Sequence, residues 1–293
     1  MTATDVVGAI DIGGTHVTAG RVDAWARAVE AGSRVRVSLP AAGTRTELLE
    51  EISRAAVSIA HPDVSRVGVA VPGPFDYSAG VSRIAHKLRG LYGVDLRSEL
   101  RAAVRLADAT AVQFLNDAEA FLLGEWWAGA ARGHGRAVGI TLGTGLGSAF
   151  VDDGRIVRTW PGIPADGPLY EQSFRGAPVE QAISSGAVVA RYGEDGIDCE
   201  TIAARAKAGE RSARTVFEEL GQTLAEFLTP WLRTFEPTCL VVGGSIARSW
   251  ELFADALGAV LGPIESLQSI TVAEHLDDAP LLGAAWYVVQ DRP

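Results

Sequence analysis

Sulfur and imidazole side chains are scarce in this chain of 293 residues, which contains two cysteines, one methionine and five histidines. Cys199 and Cys239 lie far apart and neither belongs to a CxxC pair, so the sequence predicts neither a disulfide framework nor a thiolate zinc cluster. No apolar run approaches the roughly 20 residues that a membrane-spanning helix requires. The N-terminal residues also lack a basic segment followed by a long apolar stretch. We therefore expect a soluble, cytoplasmic protein with no membrane partner.

Positive charge is in deficit as well, because the formal net charge is −10. A nucleic-acid partner is disfavoured, since binding it requires a basic face. Two familiar nucleotide motifs are absent. No GxxxxGK[ST] segment occurs, and "GTGLGS" is followed by a predicted strand where a dinucleotide-binding fold needs a helix. The apolar fraction of 47% is that of an ordinary globular protein, long enough for one large or two ordinary domains.

The periodicity of the chain alternates between that of strands and that of helices. "RTELLEEISRAAVSIA" (45–60) has apolar residues at helical spacing, with Thr44 or Thr46 as its cap. "FEELGQTLAEFLTPWLRTF" (217–235) predicts an amphipathic helix, and "PLLGAAWYVVQ" predicts a C-terminal one. Between such segments lie short β-rich runs that end in glycine turns. This alternation indicates an α/β protein.

Two glycine turns interrupt predicted hairpins. In "VGAIDIGGTHVTAGRV", Asp11 precedes the turn Gly13–Gly14–Thr15, and in "VGITLGTGLGSAFV" the turn is Gly143–Thr144–Gly145. The similarity of the two segments suggests an internal duplication. Backbone N–H groups at a glycine turn converge on an anion, and glycine lets the chain approach it closely. Each turn alone is equally consistent with an ordinary tight hairpin, whereas the pair predicts two phosphate-binding turns.

The segment "FLNDAEAF" places Asn116 and Asp117 where a predicted strand ends and a helix begins. A helix N-terminus favours an ionised carboxylate, which could accept a proton from a hydroxyl during phosphoryl transfer. Asn-Asp before an apolar helix is also an ordinary helix cap. The local pattern leaves both readings open.

Six segments, taken in order, resemble the ROK family of sugar kinases, repressors and related proteins: "AIDIGGTHVTAGRV", "VAVPGPFDY", "FLNDAEAFLLGE", "ITLGTGLGSA", "LVVGGSIA" and "PLLGAAWYV". The resemblance covers essentially the whole chain. It implies two actin-like, ribonuclease-H-like α/β domains flanking a central cleft for a nucleotide and a sugar. The implied domains are residues 1–116 with a C-terminal helix at about 280–293, and residues 117–279.

Carried over position by position, the resemblance implies an ATP-dependent sugar kinase with Mg²⁺. Asp117 would be the catalytic base, and the substrate-binding residues would be Asn116, Glu180, Gly73 and Asp166. The nucleotide-binding residues would be Asp11, Gly13, Gly14, Thr15, Thr144, Gly145, Gly243 and Gly244. The magnesium ion would be held mainly by phosphates and waters, with Asp11 contacting it through water.

The chain also departs from the family pattern. Residues 158–186 contain no histidine and no cysteine, whereas most family members carry an ExGH segment and a zinc-binding cysteine cluster there. We therefore expect no zinc site. Position 16, often lysine in the family, is His16. Asp166 lies where the ExGH segment would be, and it could instead simply cap a turn. With Glu171 and Glu180 it would favour a cationic amino-hexose by charge-assisted hydrogen bonds.

The sequence thus predicts phosphorylation by ATP of a hexose or amino-hexose hydroxyl, at C6, by a homodimer with a small-molecule sugar as its substrate. The alternative is a non-catalytic sugar- or nucleotide-binding ROK-like regulator. Regulators of the family carry a helix-turn-helix segment ahead of the first phosphate turn, and the turn after Asp11 leaves no room for one here. Together with the negative charge, this favours the enzyme.

Overall fold

The computed structural model describes residues 6–85, 87–164 and 167–290. The chain divides into two compact units, one drawn from Met1–Gly129 and Asp277–Pro293 and the other formed by Ala130–Leu276. The predicted boundary at residue 116 falls between Asn116 and Asp117, and the first compact unit continues past it to Gly129. Both residues of the "ND" pair therefore belong to the first unit.

The strands of the first unit are β1 (Val6–Ile12), β2 (His16–Asp23), β3 (Ala28–Val29), β4 (Val35–Ser38), β5 (Val67–Val71), β6 (Phe75–Asp76), β7 (Val81–Ser82) and β8 (Val112–Asn116). β6 and β7 form a separate small hairpin, and the others form a six-stranded sheet whose order is β3-β2-β1-β5-β8, with β4 paired to β2. β1 and β2 form an antiparallel hairpin, while β1, β5 and β8 run parallel. The carboxyl ends of β1 and β8 therefore lie at the same edge of the sheet.

The α-helices described in this unit are α1 (Arg45–Val57), α2 (Leu96–Val104), α3 (Asp117–Trp127) and α9 (Ala279–Gln290). Thr44 caps α1 in a capping box with Glu47, as the sequence predicts. Helices α3 and α9 pack backbone against backbone. A Cβ on Gly124 or Gly283 would overlap a carbonyl of the opposite helix, so this contact joins the C-terminal helix to the N-terminal part of the chain.

The second unit repeats the same plan. Its strands are β9 (Arg136–Leu142), β10 (Leu146–Asp152), β11 (Arg155–Ile156), β14 (Cys239–Gly243) and β15 (Ser269–Val272), with a separate hairpin of β12 (Ser173–Phe174) and β13 (Ala177–Pro178). The five-stranded sheet has the order β11-β10-β9-β14-β15, in which β9 and β10 are antiparallel and β9, β14 and β15 run parallel. The matching strand orders support the internal duplication suggested by the two glycine turns.

The helices of the second unit are α4 (Glu180–Ile183), α5 (Ser185–Tyr192), α6 (Cys199–Lys207), α7 (Arg211–Phe235) and α8 (Ala254–Leu261). The amphipathic segment predicted at 217–235 is the greater part of α7. Its apolar face is fully buried at Phe217, Leu220 and Leu224. No helix in the described part of the chain is long and apolar enough to cross a membrane.

Candidate functional site

The turn between β1 and β2 is closed by one backbone hydrogen bond, from the Gly13 N–H to the His16 carbonyl at 2.8 Å. The N–H groups of Gly14 and Thr15 donate to no acceptor among the described residues. Thr15 is exposed, and its Oγ1 lies 2.8 Å from Nδ1 of His16. Successive unpaired N–H groups at a glycine turn form an anion-binding concavity. The geometry of this turn therefore suits a phosphate.

Asn116 and Asp117 stand at the start of α3, at the same sheet edge as the β1–β2 turn. Asn116 is the N-cap: its Oδ1 accepts the Ala118 N–H at 2.9 Å, and Glu119 completes a capping box. The Asp117 carboxylate accepts the neighbouring Ala118 N–H at 3.0 Å and interacts with its own backbone N–H. No described side chain forms an ion pair with it. The two interpretations of this segment therefore apply to different residues. Asn116 caps the helix, whereas the Asp117 carboxylate keeps lone pairs that can accept a proton.

Asp11, near the end of β1, and Asp117, the first residue of α3, interact electrostatically. Burial raises the pKa of Asp11 from its ordinary value of 3.8 to about 7, with a further rise from the charge of Asp117 and an opposing effect of Arg36. Burial also raises the pKa of Asp117, against the opposing effects of the Ala118 N–H and the Lys87 charge. Raised carboxyl pKa values at one sheet edge are typical of a functional site.

Tyr77 connects two segments that the resemblance assigns to the sugar. Nδ2 of Asn116 donates to the Tyr77 hydroxyl at 3.2 Å, and that hydroxyl donates to the Val71 carbonyl at 3.3 Å. A Cβ placed on Gly73 would lie 3.7 Å from the same hydroxyl, and the Gly73–Pro74 peptide bond is cis. The structure therefore brings Gly73 and Asn116 together through one phenol.

In the second unit, the turn between β9 and β10 has the same character. The N–H groups of Thr144 and Gly145 have no acceptor among the residues the structure describes, and Thr144 is exposed. The next N–H, that of Leu146, donates to Oε1 of Glu180 at 2.9 Å. A Cβ on Gly145 would lie only 2.5 Å from that oxygen. Glu180, predicted to bind the sugar, thus also contacts the predicted phosphate turn.

Gly243 ends β14, and Gly244 follows it with a φ of +84°. A Cβ on Gly244 would overlap the backbone of Leu142, so only glycine fits at this point. Ser245 Oγ lies 3.2 Å from the position of a Cβ on Gly143. The two glycines predicted to lie by the adenosine therefore pack against the strand that leads into the phosphate turn.

Two other residues of the predicted sugar side are less defined. Asp166 lies outside the described residues. Glu171 is described and exposed. No group of three or more His, Cys, Asp or Glu side chains that could hold a metal ion occurs within the described ranges.

Three residues near the site were missed by the sequence reasoning: Tyr77, Lys87 and Arg36. Tyr77 belongs to the quoted "VAVPGPFDY" segment, so its proximity to the proline-glycine loop was a usable signal. Lys87 carried a compositional signal, because Lys87 and Lys207 are the only lysines of the chain. Arg36 is brought near the site by strand pairing, because β4 places it opposite Thr18 of β2. No sequence motif indicates this position.

The duplicated sheet order and the paired glycine turns define the actin-like, ribonuclease-H-like class of two-domain α/β proteins. The model of the ROK family matches residues 7–291, and the chain belongs to the ROK family.

Three of its similar proteins are named sugar kinases. The glucokinase of Thermotoga maritima is 25% identical over 97% of this chain and 96% of its own length. The N-acetylmannosamine kinase of Citrobacter koseri is 29% identical over 97% of this chain and 99% of its own length. Among solved structures, the ROK family glucokinase from Streptomyces griseus, in complex with glucose and AMPPNP, is 25% identical. That match has a TM-score of 0.73 and covers 97% of this chain and 99% of the other.

Proposed function

We propose that this chain is an ATP-dependent sugar kinase that transfers the γ-phosphoryl group to the C6 hydroxyl of a hexose or amino-hexose. One observation carries the proposal. Within the first unit, the Asp117 carboxylate, which has lone pairs available, lies at the same sheet edge as Asp11 and the glycine turn that follows it. Phosphoryl transfer requires such an arrangement: a group that accepts the hydroxyl proton, placed beside donors that hold the phosphates.

The division of labour follows from the contacts. Asp117 takes the proton of the acceptor hydroxyl as that oxygen attacks phosphorus. Asn116 and Gly73 lie against Tyr77 beside this carboxylate, and together they would orient the sugar ring. The N–H groups of Gly14 and Thr15, and those of Thr144 and Gly145, would donate to phosphate oxygens. Mg²⁺ would neutralise charge on the phosphates, with Asp11 holding one of its waters.

The acceptor class is supported by the names of the relatives, which include glucokinase and N-acetylmannosamine kinase. We place the transfer at C6 because that hydroxyl is the primary and least hindered one of a hexose. A neutral hexose and an N-acylated amino-hexose both present it. A cationic amino-hexose would need carboxylates around its ammonium group. Glu180 is one of the carboxylates predicted for that role, and one of its oxygens already accepts a hydrogen bond from the Leu146 N–H.

A coupled ADP-release assay tests the proposal with glucose, mannose, N-acetylmannosamine, N-acetylglucosamine and glucosamine. We expect turnover of at least one sugar, and a loss of about 10³-fold in kcat for D117N with sugar binding retained by calorimetry. D255N, which makes the same change at an exposed carboxylate of α8, is the matched control and should behave as wild type. The 6-deoxy analogue of the best substrate should bind without turnover.

Absence of sugar-dependent ADP release across the panel would overturn the kinase proposal in favour of a binding or regulatory protein. Undiminished turnover by D117N would remove Asp117 as the base. Phosphorylation of the 6-deoxy sugar would move the transfer away from C6, and product analysis by ³¹P and ¹³C NMR would then assign the hydroxyl.

A further inference from the structure

A single ammonium group lies next to the phosphate turn of the first unit. The chain has 26 lysines and arginines in all, and Lys87 and Lys207 are its only lysines. Lys207 is an ordinary surface residue, since its Nζ forms an ion pair with Glu251 at 2.9 Å. Lys87 is also exposed, yet it has no hydrogen bond and no ion pair with any described residue. One of two lysines thus carries an unneutralised charge at the predicted site.

The segment that carries Lys87 is firmly positioned. Leu88, the next residue, has a φ of +52° and a completely buried side chain. Gly90 packs so closely on residues 43–45 that a Cβ would lie 2.8 Å from the Arg45 nitrogen and the Gly43 carbonyl oxygen. A non-glycine residue in the left-handed region costs free energy and is held there by its surroundings. The fold therefore fixes the backbone from which Lys87 extends.

The Lys87 side chain reaches the β1–β2 turn. A Cβ placed on Gly14 would lie 3.5 Å from Cδ and 4.0 Å from Nζ of Lys87. The same charge acts on Asp117, whose pKa it lowers against the larger effect of burial. The ammonium group thus lies near both the unpaired N–H groups of the turn and the carboxylate proposed as the base.

We infer that Lys87 is a further catalytic residue, which contacts the phosphoryl group in transit between ATP and the sugar. The inference rests on the kinase function proposed above. As the sugar oxygen forms its bond to the γ-phosphorus, the bond from that phosphorus to the β-γ bridging oxygen breaks and ADP leaves with the electron pair. The hydroxyl proton passes to Asp117. Lys87 neither gains nor loses a proton and stabilises the negative charge on the transferred oxygens.

Lysine suits this position because its ammonium group is a compact charge on a flexible stem that can follow a moving oxygen. Removing one preorganised donor to the charge of a transition state costs about 10²-fold in kcat. Because Lys87 has no partner among the described residues, its loss should leave the folded state unchanged. A structural role and a catalytic role therefore predict different results.

Lysine acetylation gives a test that does not depend on turnover. With two lysines in the chain, N-hydroxysuccinimidyl acetate labelling followed by peptide mass spectrometry reports Lys87 and Lys207 separately. We expect Mg·AMPPNP to slow acetylation of Lys87 at least fivefold relative to Mg·ADP, which lacks the γ-phosphoryl group. Lys207 should be labelled at the same rate in both. Equal labelling of Lys87 in the two complexes, with both nucleotides shown to bind by calorimetry, would overturn the inference.

Kinetics provide the second arm. K87M should lower kcat by about 10²-fold with little change in the sugar KM, K87R should lose less, and K207M is the matched control. An unchanged kcat in K87M would overturn the inference while leaving the kinase proposal intact. A lower affinity of K87M confined to the sugar would also overturn it, by assigning Lys87 to the acceptor. If the wild type shows no sugar-dependent ADP release, the kinase proposal fails first and this inference falls with it.

Discussion

Glu180 accepts a hydrogen bond at 2.9 Å from the backbone N–H of Leu146, the residue that follows the turn between β9 and β10. This hydrogen bond connects the first residue of α4 to the β9–β10 turn, in which the N–H groups of Thr144 and Gly145 have no acceptor among the described residues. If Glu180 also binds the sugar, one carboxylate serves two purposes, with Oε1 on the turn and Oε2 available to a hydroxyl.

The first prediction separates these two purposes. E180A removes the acceptor of the Leu146 N–H, and the loss of a hydrogen bond to a charged group is worth about 1.5 kcal/mol or more. We expect its Kd for Mg·AMPPNP, measured by calorimetry, to rise about tenfold. E180Q keeps an acceptor oxygen and should retain most nucleotide affinity while raising the sugar KM. E218A, at an exposed carboxylate of α7, is the control. Equal nucleotide affinity in E180A and wild type would contradict the prediction.

The second prediction concerns the pH dependence of activity. Burial raises the pKa of Asp117, and that of Asp11 to about 7. Both carboxylates must be ionised to act, because Asp117 accepts a proton and Asp11 holds a magnesium-bound water. From the Asp11 pKa, kcat/KM should therefore rise about fivefold from pH 6 to pH 7 and about tenfold in all by pH 8, where it levels off. A buffer-matched profile that stays flat from about pH 5.5 to 8 would show that neither group titrates in this range.

The third prediction concerns stability and is independent of any activity. The unfolded chain releases the Asp11 proton near its ordinary pKa of 3.8, whereas the folded protein retains it to about pH 7. Stability from this group is complete below the lower value and is lost as the pH rises through the upper one. D11N removes this loss. Urea unfolding should show D11N gaining roughly 2–3 kcal/mol over wild type between pH 5 and pH 7.5. A stability difference that does not grow with pH would contradict the raised pKa of Asp11.

The local features of the fold could be predicted from the sequence because they depend on neighbouring residues. The Gly13–Gly14 turn, the Thr44 cap and the amphipathic face around Phe217 and Leu224 follow from turn chemistry and periodicity, and the structure has all three. The extent of the first unit depends instead on α3 packing against α9, where Gly283 meets Ala120. No local pattern relates those two positions, so they could not have been paired in advance.

The residues of the candidate site show the same difference between local and long-range features. Asn116 and Asp117 were found through a local motif that a helix start explains equally well. The Tyr77 hydroxyl accepts a hydrogen bond from Asn116, which is 39 residues away in the chain, and the Lys87 side chain reaches Gly14 from a different loop. Only the path of the chain through the sheet brings these groups together. Sequence spacing therefore does not predict the charged and aromatic residues that reach a site from distant segments.

The fourth prediction contrasts two glycines of the first unit. A Cβ on Gly14 meets only the flexible Lys87 side chain at 3.5 Å, an ordinary contact, whereas a Cβ on Gly283 would overlap the Ala120 carbonyl. G14A should keep the wild-type Tm within about 2 °C, yet raise the Kd for Mg·AMPPNP about tenfold by holding phosphate oxygens away from the turn. G283A should lose several kcal/mol of stability. Equal nucleotide affinity in G14A would show that this turn binds no phosphate.

The last prediction tests the contact between Tyr77 and Asn116. The Tyr77 hydroxyl accepts from Asn116 Nδ2 at 3.2 Å and donates to the Val71 carbonyl at 3.3 Å. Y77F deletes this link without altering the ring contacts with Phe75, whose centroid lies 5.3 Å away. Asn116 then loses the partner that fixes its amide, although its Oδ1 still caps α3. The sugar KM should rise about fivefold, as the loss of a hydrogen bond worth about 1 kcal/mol implies, while the affinity for Mg·AMPPNP and the Tm stay as in the wild type. A rise in the Kd for Mg·AMPPNP with an unchanged sugar KM would instead assign Tyr77 to the phosphate side, because each constant reports the binding of one ligand.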